Sequence, residues 1–169
     1  MISEQPDPKQ KRILKVFVDG ASRGNPGASG IGIFCHNAEG TAVIETGFFT
    51  GNQTCNQAEY TALLYAFYFL STKLTPAQQS HYHVSVTGDS LLLMSQMRGV
   101  WKIKDPTLKI MAGLIKDLSK NFSCSFGHVL REFNTKADEL ANNGVDAKRR
   151  PPEGFLAYLA KHSLFLNLD

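Results

Sequence analysis

Four acidic residues, Asp19, Glu59, Asp89 and Asp138, are of a type that could do chemistry if the fold brings them together. Asp19 closes the apolar run "KVFVD", and Asp89 closes a second run in "VSVTGD". Glu59 is the only charged residue from Ala58 to Leu70, and it continues a helical apolar stripe formed by Leu63, Ala66, Phe67 and Leu70. Asp138 lies in the first turns of the last long helical segment. A carboxylate on an apolar surface is unfavourable unless a cation or several donors neutralise it.

If folding brings these acids together, they form a hard oxygen site of the kind that holds Mg²⁺ or Mn²⁺. Two such ions can clamp the attacking and leaving oxygens of a phosphoryl displacement, so the chemistry indicated is phosphodiester hydrolysis. Each acid also has an ordinary interpretation by itself. Asp19 could simply start a turn, while Glu59 and Asp138 could interact favourably with helix N-termini. Only convergence of the acids favours catalysis.

The segment after Asp19, "GASRGNPGASG", is rich in glycine but does not predict a nucleotide cradle. The spacing Gly-x-x-x-x-Gly-Lys-Ser/Thr is absent, and the segment leads into another strand-like run, not into a helix. We therefore interpret it as a turn between strands.

Five predicted strands and several helices must position the acids. The content of β-branched and aromatic residues predicts strands over 13–19, 30–36 and 42–50 in an antiparallel meander, and further strands over 81–89 and 122–132. A capping box of Thr54 and Gln57 predicts the start of a long helix. Further helices are predicted over 90–98, 106–120 and 134–147, the last with Asn134 as its N-cap.

The order of these elements predicts an α/β fold. A right-handed crossover through the long helix sets the first and fourth strands parallel, so the sheet is mixed: an antiparallel meander of three strands plus two parallel strands, flanked by helices. The carboxyl ends of the first and fourth strands then adjoin, which brings Asp19 to Asp89. Open α/β sheets bind their ligands at this edge.

Composition limits the class of protein. The chain has 169 residues with 43% hydrophobic content, which suits one domain, and a net charge of +3, which permits a polyanionic partner. Three cysteines without a CxxC pattern indicate reduced thiols, not a zinc site. Because "MISEQPDPKQKR" is polar and no apolar run is long enough to span a membrane, we expect an intracellular, cytoplasmic protein without a membrane partner. We also expect a monomer.

Four segments resemble, in order from about Ile13 to Ala147, the motifs of type 1 ribonucleases H, enzymes that cut the RNA strand of RNA/DNA hybrids. They are "VDGASRGNPG", "TCNQAEYTALL", "VTGDS" and "HVLREFNTKADELAN". The resemblance implies the RNase H-like fold and a catalytic, metal-binding set of Asp19, Glu59, Asp89 and Asp138 with two Mg²⁺ ions, for which Mn²⁺ could substitute. It also implies that the RNA/DNA hybrid contacts a groove formed by Asn25, Thr54, Asn56, Gln57 and Ser90. Cleavage of double-stranded RNA stays open.

The resemblance divides the chain into a polar extension (1–12), a ribonuclease H catalytic domain (13–147) and a C-terminal segment (148–169). The last begins with the basic, proline-containing "KRRPPEG" and continues into "FLAYLAKHSLFLNLD", which predicts a short amphipathic helix packed back on the domain. It is too short to bury a core alone.

The sequence departs from many relatives in three places, one of which is Cys55, at a position often held by Asn. The loop before Asp138, "LREFNTKAD", offers Arg131 where many relatives carry a mobile histidine, and nearby His128 is expected to be packed within a strand. The basic insertion after the third helix is also missing, and "GVWKIKDP" stands there. Arg131 is expected to act electrostatically, and Trp101 and Lys102 to contact the DNA strand, unless Trp101 caps the core. These features are typical of a short-loop subgroup of the family.

Two other functions stay open. One is another RNase H-like nuclease or an integrase-type phosphoryl transferase, against which "DGASRGNPG" and "NQAEY" argue. The other is a non-catalytic nucleic-acid-binding module, against which the four intact acidic positions argue.

Overall fold

The computed structural model describes residues 10–169, so most of the predicted polar extension lies outside the described residues. The elements in chain order are β1 Arg12–Ser22, β2 Gly27–Asn37, β3 Ala42–Gln53, α1 Cys55–Lys73, α2 Pro76–Gln79, β4 Tyr82–Gly88, α3 Leu91–Met97, α4 Pro106–Ser119, β5 Ser123–His128, a 3₁₀ turn Arg131–Phe133, α5 Thr135–Ala147 and α6 Glu153–Lys161. Within residues 10–169, none of the helices combines the length and apolar character that a membrane span requires.

The five strands form one sheet in the order β3-β2-β1-β4-β5. Strand β2 pairs antiparallel with β1 and β3, whereas β4 pairs parallel with β1 and β5. The predicted α/β fold with a mixed sheet is therefore confirmed. The parallel register pairs Phe17 with Thr87, two residues before Asp19 and Asp89, so these two acids emerge side by side at the same edge of the sheet.

The main core lies between the sheet and α1. Alternate residues of β1 and β2 point into it, and α1 is buried on most of its circumference, which explains its lack of charged residues over three turns. The fully buried large side chains are Tyr60, Phe67, Phe155, Ile31, Ile33, Leu63, Leu64, Leu93, Met94, Ile115, Leu159 and Val16. This core fixes α1 against the sheet.

Helix α5 lies on the opposite face of the sheet and approaches it through glycines. A Cβ atom added to Gly32 would lie 2.0 Å from the Ala137 carbonyl oxygen, and one added to Gly47 would lie 2.0 Å from the Leu140 carbonyl oxygen. Any larger residue would therefore push the helix away. Gly32 is the register partner of Asp19, so the contact also sets where α5 stands relative to the acidic edge.

The structure corrects the predicted C-terminal end of β5. The strand stops at His128, and Arg131–Phe133 forms a 3₁₀ turn, because the chain must cross to the other face of the sheet before α5 begins. Asn134 precedes α5 as predicted, but its side chain donates to the Val18 carbonyl oxygen at 2.9 Å and does not cap the helix. The prediction also missed α2, which a capping box of Thr75 and Gln78 signals.

The amphipathic helix predicted in the C-terminal segment is present as α6. Phe155 and Leu159 are buried, and the Phe155 ring packs edge-on against Tyr65 of α1, with ring centroids 5.0 Å apart. After α6 the chain returns toward β3, where the backbone of Asn167 lies against Gly51.

Candidate active site

Three carboxylates converge where β1 and β4 end. Asp19 is buried within β1, Asp89 follows β4 directly, and Glu59 stands near the start of α1. One carboxylate oxygen from each lies within 4.8 Å of the others. Gly20 permits this approach, because a Cβ atom there would lie 2.4 Å from the Glu59 backbone nitrogen.

The cluster holds negative charge that the protein compensates poorly. Burial raises the pKa of Asp19 from 3.8 to about 7, and the nearby Asp89 carboxylate adds to the rise. Burial, followed by the charges of Asp19 and Asp89, holds the pKa of Glu59 well above its ordinary value. The Glu59 Oε2 atom is buried and has no hydrogen-bond partner among the described residues. A buried acceptor of this kind is suited to a cation.

Asp138 lines the same cavity from α5 but stands outside the three-carboxylate cluster. The cavity has a volume of about 250 Å³ and is bounded by all four predicted acids. Arg131 donates from its NH2 group to Asp138 Oδ1 at 2.7 Å, and this hydrogen bond raises the pKa of Arg131. Asn142 donates to the Asp138 carbonyl oxygen at 2.9 Å. Arg131 therefore brings a guanidinium to the cavity wall while its side chain stays 74% exposed.

Three of the predicted groove residues are helix caps. Thr54 Oγ1 accepts a hydrogen bond from the Gln57 backbone nitrogen at 3.2 Å, and Gln57 Oε1 accepts one from the Thr54 nitrogen at 2.9 Å, so the predicted capping box is confirmed. Ser90 Oγ accepts from the Leu93 nitrogen at 3.1 Å and caps α3. Helix capping alone accounts for the presence of Thr54, Gln57 and Ser90 at these positions. Their role in substrate binding stays a prediction.

Asn25 and Asn56 have more freedom for an external partner. Both are exposed and flank the start of α1, where Asn25 Oδ1 accepts a hydrogen bond from the Cys55 backbone nitrogen at 3.1 Å. The Asn25 amide nitrogen and the whole Asn56 side chain have no side-chain hydrogen bond within residues 10–169. They stand beside the acidic cavity, because Cys55 is part of its wall.

Two other predicted residues stand apart from the cavity. Trp101 and Lys102 follow α3, and their loop is held by hydrogen bonds from the Trp101 nitrogen to the Ser95 oxygen and from Gln96 Nε2 to the Lys102 oxygen. Trp101 is 46% exposed, which argues against the alternative that it caps the core. His128 is also exposed, at the end of β5, so the expectation of a packed side chain was wrong.

Besides the β1 residues Gly20, Ala21 and Ser22, the cavity wall contains three residues that the sequence reasoning did not propose as functional. They are Arg23, Cys55 and Asn142. Arg23 donates to Asn142 Oδ1 at 2.6 Å and to Asp146 Oδ1 at 2.8 Å, which ties the β1–β2 turn to α5. Asn142 could have been found from its spacing, because it lies one helical turn after Asp138. Arg23 lies in a turn-rich segment that offers no comparable signal.

Comparison with known proteins identifies the family. Residues 17–144 match the Reverse transcriptase-like family. Ribonuclease HI from Halobacterium salinarum is 36% identical over 134 residues, which are 79% of this chain. The crystal structure of RNase H1 from that archaeon superposes with a TM-score of 0.72 at 34% identity, covering 80% of this chain and 98% of the solved one. The structure of LC11-RNase H1 in complex with an RNA/DNA hybrid also superposes with a TM-score of 0.72. It is 36% identical, and the match covers 79% of this chain and 97% of the solved one.

The length of the match differs between these relatives. The chain spans 64% of the length of the curated Halobacterium protein, although it spans nearly all of the two solved chains. The matched region contains every acid of the cavity. The chain therefore belongs to the reverse transcriptase-like family and, within it, to the type 1 ribonucleases H that its motifs resemble.

Proposed function

We propose that this protein is a metal-dependent endoribonuclease that hydrolyses the RNA strand of RNA/DNA hybrids. The observation that carries the proposal is the convergence of three carboxylate oxygens within 4.8 Å in a cavity at the carboxyl ends of β1 and β4. The likeness to LC11-RNase H1, whose structure contains an RNA/DNA hybrid, supports this choice of substrate.

The residues of the cavity fit divalent cations. The ligand set consists of hard carboxylate oxygens, and the buried Glu59 Oε2 atom lacks a partner among the described residues. We propose that Asp19, Glu59, Asp89 and Asp138 hold two ions, Mg²⁺ or Mn²⁺. When bound, such ions supply an activated water and stabilise charge on the attacking and leaving oxygens.

The arginines supply the fixed positive charge around the acids. Arg131 and Arg23 line the cavity, and each is ion-paired to an acid of α5, which orients it. A guanidinium stays protonated at every pH where the protein is folded, so Arg131 cannot move a proton. Its proposed role is to attract the phosphate of the scissile linkage or of the product.

The groove residues are proposed to select the RNA strand. Asn25 and Asn56 offer amide groups that both donate and accept, as a 2′-hydroxyl requires, and they stand beside the cavity. Thr54, Gln57 and Ser90 position the starts of α1 and α3 that adjoin it. On a separate surface, exposed Trp101 and Lys102 are proposed to contact the DNA strand by stacking and charge.

We also propose that residues 13–147 form the catalytic domain of a monomer and that 148–169 is an appended segment. Packing of Phe155 against α1 supports the view that α6 stabilises the domain. Sedimentation of the full chain tests the monomer, and deletion of 148–169 should lower the melting temperature without changing which duplex is cut.

A comparison of labelled substrates tests the function. We expect cleavage of the RNA strand of a hybrid with Mg²⁺ or Mn²⁺, none in EDTA, and none by Asp89→Asn, while Asp117→Asn on the exposed face of α4 keeps full activity. Double-stranded RNA is included as the open second substrate. Equal cleavage of double-stranded DNA would favour the integrase-type alternative. Binding of the hybrid without cleavage under any metal would favour the non-catalytic module.

A further inference from the structure

Aromatic side chains cluster on the face of the sheet where α5 lies, outside the acidic cavity. The β1–β2 register pairs Phe17 with Phe34 and Lys15 with His36. Phe133 of the 3₁₀ turn stands beside them and is 67% exposed. Phe17, Phe34, His36 and Phe133, which we call the aromatic face, line a cavity of about 150 Å³ together with the first residues of α5.

The rings of the aromatic face are arranged as a surface and not as a core. The rings of Phe17 and His36 stack with their planes 17° apart, while the Phe34 ring is tilted by 30° against Phe17 and by 41° against His36. In the core, by contrast, Tyr65 and Phe155 meet edge-on at 88°. Side chains on the strands of the aromatic face stay partly exposed, so their ring surfaces are accessible.

Among the described residues, Lys15 supplies unpaired positive charge beside the aromatic face. Lys15 is exposed and has no ion-pair partner within the described part of the chain, and Lys136 lines the cavity. The carboxylate of Glu45, which is paired across the sheet with Phe34, is bound to Lys136 at 2.5 Å. The adjoining positions of β4 and β5 on this face carry neutral hydrogen-bonding groups, such as Ser85 and Ser125.

We propose that the aromatic face binds single-stranded nucleic acid, with bases stacked on the rings and a phosphate near Lys15. Flat aromatic surfaces with adjoining cations are the common means of holding unpaired bases. The exposed Phe133 ring can stack on a base whose face is free, and an unpaired strand presents such bases.

This site is separate from the proposed hydrolysis, so binding is measured without cleavage. Fluorescence anisotropy of a labelled single-stranded DNA 12-mer, in EDTA, is compared for the wild type and the double variant His36→Ala, Phe133→Ala. We expect the variant to bind about 5-fold or more weakly, since stacking on one ring contributes at least ~1 kcal/mol. Phe165→Ala, which removes a 78% exposed ring from the C-terminal segment, is the matched control and should bind as the wild type does. Lys15→Ala should reduce the slope of log Kd against log salt concentration by about one, because one phosphate contact is lost.

Photocrosslinking locates the strand directly. An oligonucleotide containing 5-iodouracil is irradiated with the metal-free protein, and the adducts are mapped by mass spectrometry. Adducts on Phe17, Phe34 or Phe133 are expected. Equal affinity of the wild type and the folded double variant, or adducts at Trp101 alone, would overturn the proposal. The proposal would also be overturned if sedimentation showed a dimer that requires Phe133 and that nucleic acid does not dissociate.

Discussion

Replacing Asp19 by asparagine should stabilise the metal-free protein at neutral pH. The pKa of Asp19 rises from 3.8 to about 7 on folding, mainly through burial and then through repulsion by Asp89. A shift of about three units, at 1.36 kcal/mol each, sets an upper limit of about 4 kcal/mol for the cost of ionising this carboxyl in the fold. Because Asp19 is coupled to its neighbours, we expect Asp19→Asn to raise the free energy of unfolding by about 1–3 kcal/mol, or the melting temperature by about 3–10 °C.

The gain should depend on pH with a definite sign. Below about pH 3.8 the carboxyl is protonated in both the folded and the unfolded chain, so it costs nothing. As the pH rises from 3.8 to about 7, the unfolded chain releases this proton while the folded chain retains it, and stability falls. The advantage of the Asp19→Asn variant should therefore be small near pH 4 and complete above pH 7.

Urea unfolding in EDTA from pH 4 to pH 8 measures this difference. Asp117→Asn is the matched control, because Asp117 is 67% exposed on α4 and its loss should change stability by less than ~0.5 kcal/mol. Added Mg²⁺ should stabilise the wild type more than the Asp19→Asn variant. A variant that is less stable than the wild type at pH 7, or equally advantaged at pH 4, would refute the reasoning from burial and repulsion.

Three further results are expected. Arg131→Ala should slow turnover on the hybrid about 10–100-fold, because ~1.5–3 kcal/mol of charge-assisted contact is lost. Activity should still rise with pH through the neutral range, without an imidazole titration. If the pH profile instead contains such a titration and His128→Ala removes it, the assignment to Arg131 is wrong. A hybrid whose RNA strand is 2′-deoxy at several consecutive positions should resist cleavage there, because contacts to 2′-hydroxyls are lost, and equal cleavage at those positions in a gel assay would contradict the proposed groove. Gly32→Ala should lower the free energy of unfolding by at least ~3 kcal/mol, because the new Cβ atom would meet the Ala137 carbonyl. Gly113→Ala on the open face of α4 is the control and should be neutral or stabilising. If urea titrations gave similar effects for the two variants, α5 would be able to move away from the sheet.

The sequence was most informative where local chemistry and topology agree. The β-branched and aromatic content of the strands, the capping box of Thr54 and Gln57, and the crossover rule together predicted the meander and the parallel pair of strands. The neighbourhood of Asp19 and Asp89 followed from that topology alone. Glu59 could be included because an ionised acid on an apolar stripe is costly unless a cation or several donors compensate it, and because other acids were predicted nearby.

Contacts made by tertiary packing could not be read from the sequence. The predicted strand at 122–132 was too long because Leu130 and Phe133 look like strand residues, yet both are exposed around a 3₁₀ turn. Asn134 has the residue type of an N-cap, but its amide bonds to the β1 backbone. Arg23 is held at the cavity wall by Asn142 of α5, which is more than a hundred residues away in the chain. No local sequence pattern predicts a contact of that kind.

The acidic cluster is held together by backbone contacts, not by attraction between its side chains. Gly20 brings α1 against β1 beside Asp19, and Gly32 brings α5 against the paired strand, both at separations that no Cβ atom would tolerate. Because main chain meets main chain there, the carboxylates cannot separate to relieve their repulsion when no cation is present. The raised pKa values of Asp19 and Glu59 express that constraint. A site held in this way needs little rearrangement when it receives positive charge, so rigid packing and preference for cations have the same structural cause.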